Sequence, residues 1–240
     1  MNIDIIIPAY NEERRIGRTL EEYAQYFDAS MHFLVVLNNC HDNTLRVVHT
    51  LQKRFPGRID YLDIPEAIGK GGAIIRGWQH SQAEIIGFVD ADGATSAHEF
   101  SRVVKALPGH DGAIASRFLP HAHILERTSL LRTLVSRGTI RLVRLLFGMP
   151  YSDTQCGAKL FTNNTVQLAL KKMSTTNLLF DIELLWILNL QGCDIVEVPI
   201  TWVDQPGSAA LGSSSKFLRT AFGLLGHLGR LRLRKDYYSQ

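Results

Sequence analysis

The sequence predicts an α/β fold in which a mostly parallel sheet is flanked by helices. Short runs of Ile, Val and Leu recur through the first hundred residues without polar alternation, which is typical of strands buried on both faces. Longer amphipathic stretches separate these runs, and such alternation favours parallel pairing with right-handed crossovers. We therefore expect ligand sites at the carboxyl ends of the strands.

The first half of the chain contains four predicted strands with three helices between them. The strands are expected at Ile3–Pro8, Phe33–Asn38, Ile59–Ile64 and Ile85–Asp90. The helices are expected at about Glu12–Phe27, Asp42–Phe55 and Lys70–Gln82.

The second half is less regular. Its predicted elements are a helix near His98–Leu107, a strand at Gly112–Ser116, helices at about Leu130–Phe147 and Leu178–Leu190, and a strand at Ile195–Pro199. The stretch Gln205–Ser215 is rich in Gly, Ser and Ala, which predicts a mobile loop.

Composition limits the classes of function. A chain of 240 residues suits one large domain, and its 45% hydrophobic and 20% charged residues are ordinary for a globular protein. A net charge of +3 is too small to indicate a nucleic-acid partner. Three cysteines without CxxC spacing argue against a disulfide framework or zinc site and favour a reducing, cytoplasmic compartment. No apolar stretch approaches the roughly 20 residues that span a bilayer, so we expect a soluble or peripheral protein.

Positive charge is concentrated in two Leu-rich segments. Apart from His, residues 116–150 carry six arginines against Glu126 alone, and residues 216–235 carry six cations and no acid. Their helical patterns fit solvated basic faces. They also fit helices that lie on anionic lipid at the cytoplasmic face of a membrane, or an oligomer interface.

The stretch GFVDADGAT, residues 87–95, ends an apolar run with two carboxylates. In a strand, Asp90 and Asp92 share one face and repel each other unless a cation lies between them. Hard oxygen ligands suit Mg²⁺ or Mn²⁺, with phosphate oxygens and water completing the shell. A simple turn is the alternative, because Asp and Gly favour turns.

Three other polar segments follow the earlier strands. PAYNEE, residues 8–13, closes the first strand, and NNCHDNT, residues 38–44, closes the second. GKGGA, residues 69–73, begins the third helix, where free backbone N–H groups and Lys70 suit a diphosphate. Each segment alone also fits a cap, a turn or close packing. Because all four meet at one edge of the predicted sheet, they indicate a shared ligand site.

Together these four segments resemble the family-2 glycosyltransferases of the GT-A fold. DTQCGAKLF at residues 153–161 and FDIELL at residues 180–185 resemble the branch that moves a hexose onto a polyprenyl phosphate, the dolichyl-phosphate β-glucosyltransferases and their relatives. The similarity covers about residues 3–202. It implies a single GT-A domain over residues 1–205, with a nucleotide-sugar half to about 117 and an acceptor half from about 118. Residues 206–240 are then expected to form a mobile loop and a basic amphipathic helix.

The resemblance also implies a role for each matching position. The implied nucleotide-sugar contacts are Pro8, Ala9, Asn11, Glu12, Asn38, Asp42, Lys70, Asp90 and Gln155. Asp92 is the main implied metal ligand, with Asp90 beside it. The implied catalytic residues, which face the phosphates, the sugar and the acceptor, are Arg117, Asp153, Lys159 and Asp181. Asn38 stands where the family has an Asp that is expected to contact the nucleotide base, so the identity of the base in the donor stays open.

The implied activity is an inverting, metal-dependent transfer of a hexose, with glucose and a UDP donor favoured. The metal and Lys70 offset charge on the departing diphosphate. A lipid-phosphate acceptor is already ionised, whereas a hydroxyl acceptor needs a base, for which Asp181 or Asp153 is the candidate. A non-catalytic nucleotide-sugar-binding protein is the remaining alternative.

Overall fold

A computed structural model describes residues 2–125 and 130–203, together with 229, 231–233 and 238. Side chains are described in these ranges except at 130–137 and 139. The predicted mobile loop at 205–215 and most of the predicted basic tail lie outside the described residues. None of the described helices combines the length and apolar character needed to cross a bilayer.

The described residues form nine strands and seven helices. The strands are β1 (Ile3–Ala9), β2 (Met31–Asn38), β3 (Ile59–Ile64), β4 (Ile85–Val89), β5 (Gly112–Ser116), β6 (His123–Leu125), β7 (Ala158–Thr162), β8 (Ile195–Pro199) and β9 (Thr201–Val203). The helices are α1 (Ile16–Tyr26), α2 (Thr44–Arg54), α3 (Gly69–His80), α4 (Ala97–Ala106), α5 (Leu130–Phe147), α6 (Asn163–Leu170) and α7 (Phe180–Leu190).

Seven strands form one sheet in the order β3-β2-β1-β4-β7-β5-β8. β7 runs antiparallel to both β4 and β5, and the other pairings in this sheet are parallel. β6 and β9 pair separately, in parallel. The mostly parallel sheet confirms the predicted fold class. Because β7 is reversed, the residues that precede it lie at the edge where β4 and β5 end, and Gly157 contacts Asp90 there.

Helices cover both faces of the sheet, and the core therefore has two layers. In β1, Ile5 and Ile7 pack with α1, α2 and α4, whereas Ile6 packs with α3, α5, α6 and α7. α3 approaches β1 so closely that a Cβ on Gly77 would lie 2.5 Å from Cγ2 of Ile6. This contact fixes α3 on the sheet, and with it the position of Lys70 in the first turn of α3.

Several boundaries differ from the predicted ones. β4 ends at Val89, so Asp90 and Asp92 lie in the turn after the strand and a shared strand face does not align them. α1 begins at Ile16, after a turn in which the N–H of Ile16 donates to the carbonyl of Glu12. The sequence pattern does not predict β6, β7, α6 or β9. These elements have only three to eight residues each, too few to show a clear period.

Candidate active site

The loop after β1 is held against the loop after β2. Pro8 and Ala9 are the last residues of β1, and the carbonyl of Ala9 accepts a hydrogen bond from the Cys40 thiol at 3.4 Å. Asn11 adopts a positive φ of 54°, and its Oδ1 accepts a hydrogen bond from the N–H of His41 at 2.8 Å. Asn tolerates this left-handed conformation better than most residues, so the segment turns sharply here.

Asp42 ties the same two loops together from the other side. Its Oδ1 accepts hydrogen bonds from the N–H and the hydroxyl of Thr44, and its Oδ2 accepts one from the N–H of Glu13. Burial opposes ionisation, but the hydrogen bonds from Thr44 outweigh it and lower the pKa of Asp42. The Thr44 hydroxyl in turn accepts a hydrogen bond from the N–H of Glu12 at 2.8 Å. The carboxylate of Asp42 therefore shapes the pocket, and its contact with a nucleotide remains a prediction.

Asn38 ends β2 with a buried side chain. Its Oδ1 accepts a hydrogen bond from the N–H of Ile68 at 2.9 Å, which anchors the residue that precedes α3. An asparagine offers two N–H donors beside its acceptor, whereas an ionised aspartate only accepts. The departure at Asn38 thus changes the hydrogen-bonding character of this position and leaves its link to α3 in place.

Lys70 and Asp90 form an ion pair at the edge of the sheet. Nζ of Lys70 lies 2.6 Å from Oδ1 of Asp90, and the two side chains keep 20% and 35% of their exposure. The Lys70 ammonium lies 5.9 Å from the ring centroid of Phe88 and 5.8 Å from that of Phe180. Burial alone would lower the pKa of Lys70, but the carboxylates of Asp90 and Asp181 raise it above its usual range. Lys70 therefore presents a permanent positive charge that solvent reaches.

The carboxylate of Asp90 opposes the ionisation of Asp92. Burial raises the pKa of Asp92, and the neighbouring charge of Asp90 raises it further. A cation shared between two such carboxylates relieves this repulsion. Their hard oxygens fit Mg²⁺ or Mn²⁺, and Mg²⁺ is commonly held by one or two carboxylates together with substrate phosphates and waters. In the described part of the chain, no group of three or more His, Cys, Asp and Glu side chains is arranged to hold a metal ion.

Gly157 makes room for Asp90. The N–H of Asp90 donates to the carbonyl of Gly157 at 2.9 Å. A Cβ on Gly157 would lie 1.9 Å from Oδ2 of Asp90, so a side chain here displaces the carboxylate. The segment DTQCG, which the resemblance assigns to the acceptor, therefore also positions a residue on the donor side.

Arg117 follows β5 and is clamped by Asp153. The guanidinium donates through Nε to Oδ2 at 2.7 Å and through Nη2 to Oδ1 at 3.0 Å. Asp153 is fully buried, and burial opposes its ionisation, but Arg117 outweighs this and lowers the pKa of Asp153. A carboxylate with a lowered pKa and both oxygens engaged is a weak general base. Asp153 is paired with Arg117, and its role as a base toward the acceptor stays a prediction.

Gln155 and Lys159, which both belong to the segment DTQCGAKLF, have different surroundings. Gln155 is partly exposed, and its N–H donates to Oδ1 of Asp153 at 3.1 Å. Lys159 is closed off from solvent. Its Nζ lies 2.5 Å from Oδ1 of Asp181 and 2.6 Å from the carbonyl oxygen of Cys156. The Lys159 and Asp181 side chains are 0% and 4% exposed.

Neither Lys159 nor Asp181 reaches the surface in this structure. The catalytic roles that the resemblance implies for these two side chains stay predictions. Burial raises the pKa of Asp181, and the charges of Lys159 and Lys70 offset part of that rise. The pair Lys159–Asp181 lies in the core below Lys70 and Asp90, next to the Phe88 ring.

A cavity of about 420 Å³ adjoins Arg117. Its described lining consists of Arg117, Phe118, Leu119, Ala122, Ile124, Ile140, Arg141, Arg144 and Ser152. Three guanidinium groups face one space, and none of these lining residues is acidic. Arginines arranged in this way favour an anionic group with several oxygens, such as a phosphate.

Arg15 belongs to the site and was missed by the sequence reading. Its Nε and Nη2 donate to the two carboxylate oxygens of Glu12, each at 2.7 Å. Burial and Asp90 raise the pKa of Asp92, and the charge of Arg15 offsets part of that rise. Its Nη1 is buried and has no hydrogen-bond partner among the described residues. The spacing of Glu12 and Arg15, three residues apart, was the available signal.

The profile of Glycosyl transferase family 2 matches residues 4–161. A dolichyl-phosphate beta-glucosyltransferase of Trichomonas vaginalis is 31% identical over 211 residues, which cover 82% of this chain and 62% of that protein. The human dolichyl-phosphate beta-glucosyltransferase is 30% identical over 222 residues, which cover 86% of this chain and 68% of that protein. The chain thus spans about two thirds of the length of these relatives.

Among solved structures, the chain resembles glucosyl-3-phosphoglycerate synthase from Mycobacterium tuberculosis. The complex of that synthase with UDP gives a TM-score of 0.70 at 15% identity, covering 96% of this chain and 80% of the other. Its complex with Mn²⁺, UDP and glucosyl-3-phosphoglycerate gives a TM-score of 0.65 at 17% identity, covering 90% and 74%. This likeness confirms the GT-A fold. Since the family profile also spans more than half of the chain, the protein belongs to glycosyl transferase family 2, on the branch of the dolichyl-phosphate beta-glucosyltransferases.

Proposed function

We propose that this protein transfers a hexose, glucose being favoured, from a UDP-sugar to a polyprenyl phosphate of the dolichyl type, with inversion at the anomeric carbon. The observation that carries the proposal is the meeting of two charged regions at one sheet edge. Lys70, Asp90 and Asp92 form the donor side, and the basic cavity beside Arg117 forms the acceptor side. In this proposal the domain divides at about residue 117 into a donor half and an acceptor half, and the acceptor half extends to about residue 205.

The donor side suits a nucleoside diphosphate. Pro8, Ala9, Asn11 and Glu12 border the nucleotide, with Asp42 and Gln155 at its margins. Asn38 meets the base, where its amide N–H groups suit the carbonyl oxygens of a uracil. The first turn of α3 offers backbone N–H groups to the phosphates, and Lys70 adds a full positive charge. The UDP complex of the Mycobacterium tuberculosis synthase supports this class of donor.

A divalent metal fits the same side. Asp92 would hold Mg²⁺ or Mn²⁺, with Asp90 beside it, because burial and the neighbouring carboxylate of Asp90 together raise the pKa of Asp92, and a bound cation offsets both effects. When bound, the metal neutralises charge on the departing diphosphate. The Mn²⁺ in the complex of the synthase supports this assignment. Lys70 supplies a second positive charge next to the diphosphate, and before the donor binds, its contact with Asp90 keeps the ammonium at this edge of the sheet.

The acceptor side suits an anionic nucleophile. A phosphate monoester is already ionised at neutral pH and attacks without losing a proton to a base. The basic cavity offers Arg117, Arg141 and Arg144 to such a group, and its described lining contains no carboxylate that would act as a base. This favours a lipid phosphate over a hydroxyl acceptor. Asp153 then positions Arg117, and Lys159 with Asp181 supports the floor between the two halves.

The polyprenyl chain of the acceptor implies contact with a membrane. Leu145 is 83% exposed on α5, and the exposed arginines Arg141 and Arg144 lie within one turn of it. Apolar and basic side chains on one exposed face suit anionic lipid. We therefore propose a cytoplasmic protein that associates peripherally with the cytoplasmic face of a membrane. Co-sedimentation with phosphatidylserine vesicles tests this: binding that falls in Leu145→Asp supports it, and no binding to anionic vesicles refutes it.

Transfer is tested directly with the purified protein, labelled UDP-glucose, Mn²⁺ and a polyprenyl phosphate. We expect a lipid-linked product whose β-configuration, read by NMR, shows inversion of the α-linked donor. Arg141→Gln with Arg144→Gln is expected to raise the KM for the lipid phosphate and to leave the KM for UDP-glucose unchanged. Transfer to a neutral hydroxyl acceptor instead, or binding of UDP-glucose without turnover, refutes the proposal.

A further inference from the structure

Glu183 on α7 is a buried carboxylate that the proposed reaction does not use. Its side chain is fully buried, and both of its oxygens accept hydrogen bonds from the N–H of Ser174 at 3.1 Å. The hydroxyl of Ser174 and the N–H of Thr175 donate to the same carboxylate, at 2.9 and 2.6 Å. A carboxylate so placed organises the loop between α6 and α7, because the loop's backbone donors have few alternatives in the interior.

Tyr238 completes this cluster from a distant part of the sequence. Its hydroxyl donates to Oε1 of Glu183 at 2.5 Å, across 55 residues of chain. Its ring packs edge-on against Trp186 at 5.3 Å, and its carbonyl accepts hydrogen bonds from Lys172 Nζ at 2.9 Å and from Gln191 Nε2 at 2.8 Å. The side chain is fully buried. Tyr238 is thus locked in the core, with its polar tip on the carboxylate.

The loop that Glu183 organises packs directly against the first turn of α3. The carbonyl of Thr176 accepts a hydrogen bond from the N–H of Gly72 at 3.0 Å. A Cβ on Gly69 would lie 2.4 Å from that same carbonyl oxygen, and a Cβ on Gly71 would lie 2.6 Å from Cβ of Phe180. The glycines of GKGGA therefore allow the helix terminus to sit directly on the loop. A shift of the loop moves the turn that carries Lys70.

We propose that Tyr238 and Glu183 are positioning residues for the diphosphate-binding turn of α3. The path runs from the Tyr238 hydroxyl through Glu183 to the loop at residues 174–176, and from Thr176 to the helix start at residues 69–72. Tyr238 thereby sets the affinity for the nucleotide-sugar, although it lies 55 residues beyond Glu183 in the sequence. This inference rests on the proposed function only in taking Lys70 and the α3 terminus as the diphosphate site.

Tyr238→Phe tests the path with the loss of one oxygen atom. We expect the amide of Gly72 to exchange hydrogen roughly 3- to 10-fold faster, and the Kd for UDP with Mn²⁺ to rise by a similar factor. The KM for UDP-glucose follows the Kd, while the KM for the lipid phosphate stays within about twofold. Glu183→Gln removes the charge and one acceptor, so we expect the same changes with a larger size.

Tyr26→Phe is the matched control, since Tyr26 also loses a hydroxyl contact, with Ser101 at 3.2 Å, on the other face of the sheet. It is expected to leave Gly72 exchange and UDP affinity unchanged. Faster Gly72 exchange and weaker UDP binding in Tyr238→Phe, with no change in Tyr26→Phe, support the inference. Unchanged exchange and affinity in Tyr238→Phe overturn it. Absence of sugar transfer by the unmodified protein refutes the proposed function alone, because Gly72 exchange is measured without donor or acceptor.

Discussion

Two lysine–carboxylate pairs have their ammonium groups within about 6 Å of the Phe88 ring centroid, and they differ mainly in their access to solvent. Lys70 lies 5.9 Å from the ring centroid and pairs with Asp90, and Lys159 lies 5.2 Å from it and pairs with Asp181. The first pair keeps 20% and 35% of its side-chain exposure, whereas the second keeps 0% and 4%. Similar chemistry therefore serves two purposes. The open pair, Lys70 and Asp90, is available to a ligand, whereas the sealed pair, Lys159 and Asp181, stabilises the core below it.

The physical basis of this difference is the cost of separating each pair. Water replaces a lost partner at the open pair, so Lys70 and Asp90 exchange their mutual contact for a diphosphate or a cation at little cost. At the sealed pair, a lost partner leaves a charge in a medium of low polarity. We therefore expect mutations of the sealed pair to act on folding, and mutations of the open side to act on binding and turnover.

The largest expected effect is that of Lys159→Met on stability. The substitution leaves the Asp181 carboxyl buried without its cation, which costs about 3–5 kcal/mol of the free energy of unfolding. Lys70→Met is the matched change at the open pair, and we expect it to cost at most about 1 kcal/mol, because Asp90 stays hydrated. Urea denaturation of both variants measures the difference.

A double variant separates charge from packing at the sealed pair. Lys159→Met with Asp181→Leu removes both charges, and replacing a buried pair by apolar side chains is often neutral or stabilising. We expect it to regain most of the stability lost in Lys159→Met. Equal losses in Lys159→Met and Lys70→Met would contradict the division into a sealed and an open pair.

The sequence predicts where the parts of the open side meet, because each part is local. Each of the four polar segments directly follows a strand or begins a helix, and parallel pairing brings such ends to one edge whatever the order of strands. The roles of Lys70, Asp90 and Asp92 could therefore be proposed from motifs alone. The prediction that Asp90 and Asp92 share one face of a strand was wrong, because β4 ends at Val89 and both residues follow it.

The sealed side could not be predicted in the same way. The burial of Lys159 depends on Asp181, 22 residues later, and on the antiparallel insertion of β7 between β4 and β5. Both are long-range pairings that leave no periodic trace in a five-residue run. A lysine and an aspartate in conspicuous motifs are read as substrate contacts, since most charged side chains are exposed.

Asp92→Asn is expected to have the largest effect on turnover. The substitution removes the negative charge that would hold the metal, and we expect kcat to fall roughly 10²- to 10³-fold. The free energy of unfolding should stay the same or rise, because Asp92 is a buried carboxylate whose ionisation Asp90 opposes. Transfer assays over a range of Mn²⁺ concentrations, with urea denaturation alongside, measure both. A variant that keeps full activity would contradict the metal assignment.

Gly157→Ala tests how the open pair is held. The new Cβ would lie 1.9 Å from Oδ2 of Asp90, so the carboxylate must turn away from Lys70. We expect kcat/KM to fall roughly 10- to 100-fold, as for other small displacements of reacting groups. Gly138→Ala on α5 is the control, because a Cβ there meets no atom of the described residues within 4 Å. Normal activity in Gly157→Ala would show that the position of Asp90 does not matter for turnover.

A third pair, at the opposite end of β1, is about as exposed as the open pair, and one of its members is a histidine. Nδ1 of His32 lies 3.3 Å from Oδ1 of Asp4, with 28% and 19% of the side chains exposed, and Asp60 also contacts His32 from β3. The hydrogen bond with Asp4 raises the pKa of His32 against the effect of burial. Burial opposes ionisation of Asp4, but its hydrogen bonds with His32 and Ser81 lower the pKa of Asp4.

The signs of these two shifts define a pH window. The contribution of His32 is complete below the unfolded pKa of about 6.5 and is lost as the pH rises through the raised folded value. The contribution of Asp4 is present above about 3.9 and is lost as the pH falls through the lowered folded value. We therefore expect unmodified protein to lose up to about 1 kcal/mol relative to His32→Gln between pH 6 and pH 9, in denaturant titrations at each pH. A difference that stays constant over this range would mean that a partly exposed pair contributes no pH-dependent stability, and that only full enclosure, as at Lys159 and Asp181, makes such a pair count in folding.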